Sequence, residues 1–203
     1  PSIPELAAAV ALTSPTSNSL ILDGTLAGNP AMKTIALREY QQAYLNGYFA
    51  ALVSISGLKG ANKSLVLGLL AGQEYPIMDN QIKTGFLDGA QLVDPGFSLD
   101  FRVLGNWFDA AKASELTRSM IANKVDVILT IAGGANPGVV AAAKDAGCYV
   151  TWFDNSGYSI SPGTVVGSTT VNETDACSDA VLKAIAGTLD YGTPTLLGIT
   201  DGV

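Results

Sequence analysis

The sequence predicts an α/β protein built on parallel sheets, and three observations carry that prediction. From Ser64 onward, apolar runs alternate with amphipathic stretches at a period of about 25 to 35 residues, the signature of βα units. The chain has 203 residues, of which 48% are hydrophobic, ample for a buried core. Finally, VDVILTIAGGANPGVVAAAKDAG, from Val125 to Gly147, carries a strand-type run into a glycine pair and then into an alanine-rich helix. At such a junction glycine lets a ligand approach the backbone, and the helix start offers unpaired N–H groups.

The elements follow in chain order. Glu5 to Leu12 is a short apolar helix, SLILD a strand ending at Asp23, MKTIAL a strand, and Glu39 to Ser56 a long helix. A helix with no strand before it, and a strand with too few partners to make a sheet, suggest a first lobe whose opening βα units precede Pro1. SLVLGLL (Ser64 to Leu70) is a strand, and Pro76 to Val93 a helix with Ile77, Ile82, Phe86, Ala90 and Val93 at helical spacing and Pro76 suited to its first turn. After the strand SLDFRVLG, Asp109 caps a helix from Ala110 to Asn123 whose apolar face is Ala113, Leu116, Met120 and Ile121. VDVILTI is a strand. Asn136 and Pro137 make a cap and first-turn pair for the helix through Ala146, which Gly147 stops. CYVTWFD and TVVGSTT are strands, Glu173 to Thr188 is a helix, and the strand-like TLLGIT runs to the end with no closing element, so a further segment is expected after Val203. The expected organisation is a partial first lobe with its long helix (1–60), a ligand-binding lobe (61–170) and a return toward the first lobe (171–203).

Composition narrows the function. A formal charge of −7 with only 11 Lys and Arg repels a phosphate backbone, so nucleic acid is not expected as a partner. Histidine is absent, which removes every catalytic triad or metal site that needs an imidazole. Cys148 and Cys177 have no metal-type spacing and are read as buried thiols. No run reaches the roughly 18 apolar residues of a membrane span, and no signal-peptide pattern opens the chain.

Two glycine-rich stretches fail as phosphate loops. In GLKGANKS, Asn62 takes the place of the required second glycine, and a helix precedes where a strand should. GGANPG has its glycines at positions one, two and six, not in the dinucleotide spacing. In doubly wound sheets ligands bind beyond the carboxyl ends of strands. Three such ends carry apt residues: Gly133 and Gly134 with Asn136; Asp154 and Asn155; and Asn106 to Asp109. Glycine amides and a carboxylate suit a neutral, hydroxyl-bearing ligand better than a phosphate. Tight-turn glycines and a turn-capping Asp154 are the plainer alternatives. Trp107, Phe108, Trp152, Phe153 and Tyr158 gather near these ends in a chain only 7% aromatic. Alternation puts one of Trp152 and Phe153 on each face of its strand, so at least one is core.

As a set, ILDG (21–24), AYLNGYFAALVS (43–54), GFLDGAQLVDPG (85–96), GNWFDAAKASEL (105–116) and IAGGANPG resemble the basic membrane lipoprotein family of ABC-transporter solute-binding proteins, whose best understood members bind purine nucleosides. WFDN stands where that family has a GVDSD-like segment. The resemblance implies a type I periplasmic-binding-protein fold, two doubly wound lobes closing on a ligand, with the first lobe incomplete here. It further implies an ABC-transporter permease as partner, no catalysis, and a periplasmic or cell-surface location through an N-terminal lipid anchor absent from this chain. Asp154 matches the carboxylate that holds ribose hydroxyls, Gly134 the backbone contact, and Asp23 a strand-end residue facing the cleft. The nucleoside branch carries an aromatic where this chain has Leu129, and a lysine where it has Val171 or Asn172 near Ser168. With Trp107, Trp152 and Tyr158 supplying aromatic surface elsewhere, the balance leans to riboflavin, which a branch of the family binds. The other classes to weigh are an enzyme using Asp154 and Asp109 as a carboxylate pair and a sensory domain of the same fold.

Overall fold

The computed structural model describes residues 4–202; the two ends, Pro1–Ile3 and Val203, on which the expectations of preceding and following segments turn, lie outside them. The chain divides into two compact units, one formed by Pro1–Arg38 with Val171–Val203, the other by Glu39–Thr170. The sequence grouped the long helix with the first sixty residues. The units divide instead at Arg38, because that helix belongs with the sheet it covers.

In the first unit, strands β1 (Ser19–Leu22), β2 (Met32–Leu37) and β8 (Thr195–Leu197) form a parallel sheet in the order β1-β2-β8. Helix α1 (Pro4–Thr13) sets Ala7, Val10 and Ala11 against Ile21, Leu26 and Met32. The backbones of Gly28 and Met32 both bond to Gly192, which ties the turn before β2 to the segment before β8. Helix α6 (Glu173–Ile185) is capped by Asn172, whose side chain accepts from Asp175 N–H. It ends three residues short of the expected Thr188, and of TLLGIT only Thr195–Leu197 is strand; Ile199–Asp201 turn into a 3-10 helix.

The second unit is a five-stranded parallel sheet in the order β4-β3-β5-β6-β7, made of β3 (Val66–Ala71), β4 (Ser98–Val103), β5 (Val127–Ile131), β6 (Tyr149–Asp154) and β7 (Val165–Thr170). Alternate residues of each strand feed two cores. Leu67, Leu69, Val127, Leu129 and Phe153 meet α2 (Glu39–Ile55) and α3 (Lys83–Val93). On the other face Leu70, Ile128 and Val150 meet α4 (Ala110–Ala122) and α5 (Asn136–Ala146). Helices α2 and α3 touch backbone to backbone: a Cβ on Gly47 would strike the Phe86 carbonyl, and one on Gly89 the Tyr44 carbonyl. The glycines of two quoted family motifs therefore serve helix packing. The expected single helix from Pro76 is interrupted by a π-turn, Met78–Ile82, where the Thr84 hydroxyl reaches back to the Asp79 carbonyl.

Candidate functional site: the carboxyl ends of the five-stranded sheet

The sheet reverses its winding between β3 and β5, since the chain leaves β3 for β4 on one side and returns to β5 on the other. This switch point is where a doubly wound sheet opens a crevice. Gly72 follows β3, and Gly133 and Gly134 follow β5. The Trp107 ring lies against Gly72 and Gly133, and its backbone against Gly134: a Cβ on Gly72 would run into the indole, and one on Gly134 would stand 3.1 Å from the Trp107 carbonyl oxygen. Gly133 has φ +57, a conformation that costs residues with a Cβ. Tyr75 completes the cluster, its ring centroid 6.4 Å from that of Trp107. The loop that places Trp107 is pinned by Asn106, whose Oδ1 accepts from Phe108 and Asp109 N–H, and by Gln73, which donates to the Gly105 carbonyl at 2.8 Å.

One strand over, β6 ends at Asp154, which has φ +68. Left-handed backbone at a residue with a Cβ is strain that proteins concentrate at functional positions. Gln42 of α2 donates to Asp154 Oδ1 at 3.3 Å and to the Thr169 carbonyl at 3.0 Å. One turn along, Asn46 donates to the Trp152 carbonyl at 2.9 Å and to Thr169 Oγ1 at 3.1 Å. Helix α2 thus clamps the ends of β6 and β7 with two amides. Loss of solvation pushes the Asp154 carboxyl above the ordinary aspartate range, and the Gln42 hydrogen bond pulls the other way. The carboxylate thus ends the strand next to the one that carries the glycine turn and its indole.

The sequence-derived residues distribute unevenly over this geometry. Gly133, Gly134 and Trp107 come together, with Asp154 on the neighbouring strand. Leu129 must be corrected: it is fully buried in the core beneath α2, so its side chain packs the unit and presents nothing to a ligand. Asn136 is not a cap either. It stands at the first residue of α5, 8% exposed, and its Oδ1 accepts from Ala132 N–H and Thr130 Oγ1, stitching helix to strand. Asp109 caps α4 by accepting from Lys112 N–H at 2.9 Å, as its position predicted. Phe108 points away into solvent, 78% exposed.

Phe153 is core, and Trp152 is half-buried against the opposite layer, its indole donating to Asn155 Oδ1 at 2.9 Å and lying on Gly157. Tyr158 sits at β7, where its hydroxyl accepts from Ser168 N–H, two strands from the glycine pair. Asp23 follows β1 in the first unit with φ +57. Cys148 is buried as expected, whereas Cys177 is only half-buried. Sequence reasoning passed over Gln42, Asn46 and Gly72. The signal was present: Gln42 and Asn46 interrupt the small apolar stripe of α2 formed by Ala43, Gly47 and Ala50, and an amide on a buried stripe must have something to bind.

Comparison with known proteins decides the family. The model of the ABC transporter substrate-binding proteins described as PnrA-like matches residues 1–203, the whole chain. The chain belongs to this family. Among curated relatives, basic membrane protein A of Borreliella burgdorferi is 25% identical over 171 residues, covering 82% of this chain and 48% of the relative. The CD4+ T-cell-stimulating antigen of Listeria monocytogenes is 28% identical over 131 residues, 64% of this chain and 34% of the relative. The chain thus spans half or less of the length of these relatives. Of solved structures, an ABC transporter solute-binding protein from Aeropyrum pernix superposes with a TM-score of 0.84 at 22% identity, over 98% of this chain and 56% of that one. A transcriptional activator of the comK gene from Bacillus halodurans does so at 0.77 and 24%, covering 98% and 65%. These likenesses show the fold, the α/β architecture of type I solute-binding proteins. Among the described residues no helix is long and apolar enough to cross a membrane.

Proposed function

We propose that the chain is part of the solute-binding component of an ABC importer, and that the carboxyl ends of β5 and β6 hold a neutral heteroaromatic ligand with a hydroxylated tail or sugar. The observation that carries this reading is the left-handed Asp154 beside the glycine pair. Its Oδ1 takes one hydrogen bond, from Gln42, which leaves a carboxylate with capacity for a pair of ligand hydroxyls. The glycine amides add donors, and Trp107 adds an aromatic surface at the switch point. Among the described residues no group of His, Cys, Asp or Glu is placed to hold a metal ion, so the chemistry proposed is binding by hydrogen bonds and stacking. Riboflavin is favoured over a purine nucleoside, because an indole at the switch point, lying against Gly72 and Gly133, offers a broad flat surface, and a ribityl chain presents hydroxyls to Asp154. In the whole protein a lipid anchor outside this chain would hold it at the membrane, beside its permease.

The full-length protein tests the reading directly. Titrated with riboflavin, it should quench flavin fluorescence, and Asp154→Ala should weaken binding by about 1.5–3 kcal/mol, the value of hydrogen bonds to a charged group. The carboxylate must be ionised to accept both hydroxyls, so affinity should fall as the pH drops through the raised Asp154 value. Binding of a purine nucleoside with no flavin binding would turn the assignment to the nucleoside. An Asp154→Ala protein that binds either ligand like the wild type would remove this residue from the site.

A further inference from the structure

A notch on the outer edge of β7 is not part of the strand-end site. Among the described residues β7 is the last strand of its sheet, and a strand edge with no neighbour exposes backbone donors and acceptors. Here the edge lies between two rings. On one face a Cβ on Gly167 would stand 2.5 Å from the Phe49 ring, so that ring lies on the strand itself. On the other, the 155–160 loop folds back through Gly157 N–H, which donates to Ser168 Oγ at 2.9 Å, and Tyr158 Oη, which accepts from Ser168 N–H at 3.3 Å. Between them is a space of about 180 Å³ lined by Asn46, Phe49, Tyr158, Gly167, Ser168 and Thr169. By volume it holds about six waters, well under the roughly 300 Å³ at which drug-sized pockets begin.

Asn46 gives the notch its chemistry. The residue is 2% exposed; its Nδ2 is committed to the Trp152 carbonyl and Thr169 Oγ1, while its Oδ1 is buried without a hydrogen-bond partner. A buried acceptor left unpaired is costly, and native proteins keep few of them. No charged side chain lines the space. We propose that this notch binds a small, neutral, planar molecule whose N–H or O–H group donates to Asn46 Oδ1 while its ring lies between Phe49 and Tyr158. Phe49, 40% exposed, is the wall whose rotation admits the donor. The site does not depend on Asp154, which is outside its lining, nor on the identity of the ligand at the glycine pair.

Benzamide, planar and neutral with an amide donor, is the probe, and benzoate, of the same shape but anionic and without a donor, is the control. Both are titrated into the full-length protein by NMR with resolved backbone amides. Benzamide should shift Ser168 and Thr169 and benzoate should not. Asn46→Leu and Tyr158→Ala should each weaken benzamide binding about tenfold, the scale of one good hydrogen bond or one lost ring wall. Tyr158 is an exposed loop residue, so the second variant answers if the first misfolds. Asp154→Ala should bind benzamide like the wild type, whatever it does to flavin binding. The proposal is overturned if benzamide leaves these amides unmoved, if benzoate binds equally, if riboflavin displaces benzamide by competition, or if both variants bind it unchanged.

Discussion

The two ends of the five-stranded sheet each present an aspartate to helix α2, and the protein treats them in opposite ways. At the amino end, Asp126, just before β5, is fully buried. Its Oδ2 accepts from Asn62 N–H at 2.7 Å and from the Ser54 hydroxyl at 3.0 Å, while Asn62 Nδ2 ties the same turn to the Lys124 carbonyl. At the carboxyl end, Asp154 is exposed, left-handed, and held by the single bond from Gln42. One helix supplies both: α2 runs antiparallel to the strands, with Gln42 at one end and Ser54 at the other. The difference teaches where this unit is built for stability and where for binding. Both carboxyls are pushed above the ordinary range by loss of solvation, so a raised pKa alone does not tell a structural aspartate from a binding one. Backbone strain and access to solvent do.

The contrast can be broken at either end. The largest effect is expected from Asp126→Ala, which leaves the Asn62 amide and the Ser54 hydroxyl without their acceptor and should cost about 2–3 kcal/mol of stability by urea unfolding. Loss below about half a kcal/mol would mean that water replaces the carboxylate and that the amino end is not sealed. Next is Gly133→Ala, expected to cost about 1–2 kcal/mol because a Cβ is forced into the left-handed region; a neutral result would show that the glycine pair can relax. Asp154→Gly should behave in the reverse sense. Relief of strain should hold or raise stability by about 0.5–1 kcal/mol, while ligand affinity falls, and a clear loss of stability would make Asp154 a structural residue like Asp126.

The smallest effect is on pH dependence. Because burial raises the native pKa of Asp126, the folded state holds its proton more tightly than the unfolded chain does. The resulting penalty is absent below the ordinary aspartate value, grows as the pH rises, and is complete above the raised native value. Stability contributed by this group is therefore lost on going from acid toward neutral pH. In Asp126→Asn that fall should be missing, read as a stability difference from the wild type that becomes more favourable to the variant with rising pH. A difference that does not vary with pH would mean that Asp126 titrates normally.

Much of this architecture was legible in the sequence. The βα alternation placed β3 through β7 to within a residue or two, the glycine pair marked the strand-to-helix turn, and Asp109 and Gly147 were read correctly as helix start and stop. These features are local: a cap or a positive φ depends on a few neighbouring residues. The errors lie where the answer depends on what packs across. Leu129 stood four residues before the glycine pair of a predicted ligand turn, yet strand alternation directs it under α2. Asn136 had the chemistry of a cap, but the tight 3-10 turn of Gly133–Ala135 brings its amide within reach of Thr130, and that bond wins. The π-turn at Met78–Ile82 left no mark in the apolar spacing of Ile77, Ile82 and Phe86.

Residue order and composition were enough for the fold class, the family and the position of the glycine turn, because periodicity, punctuation and motif order are properties of the chain read in one direction. Which side chains stand at the candidate site was decided in three dimensions. Gln42 reaches Asp154 across 112 residues of sequence and Asn46 reaches Thr169 across 123; no local rule sets those distances. They follow from the register of α2 on β6 and β7, and that register is set by glycines packing backbone on backbone against α3. Aromatic residues close in sequence were parted in the same way, since β6 sends Trp152 and Phe153 to opposite faces and leaves Trp107, from another loop, as the ring at the switch point.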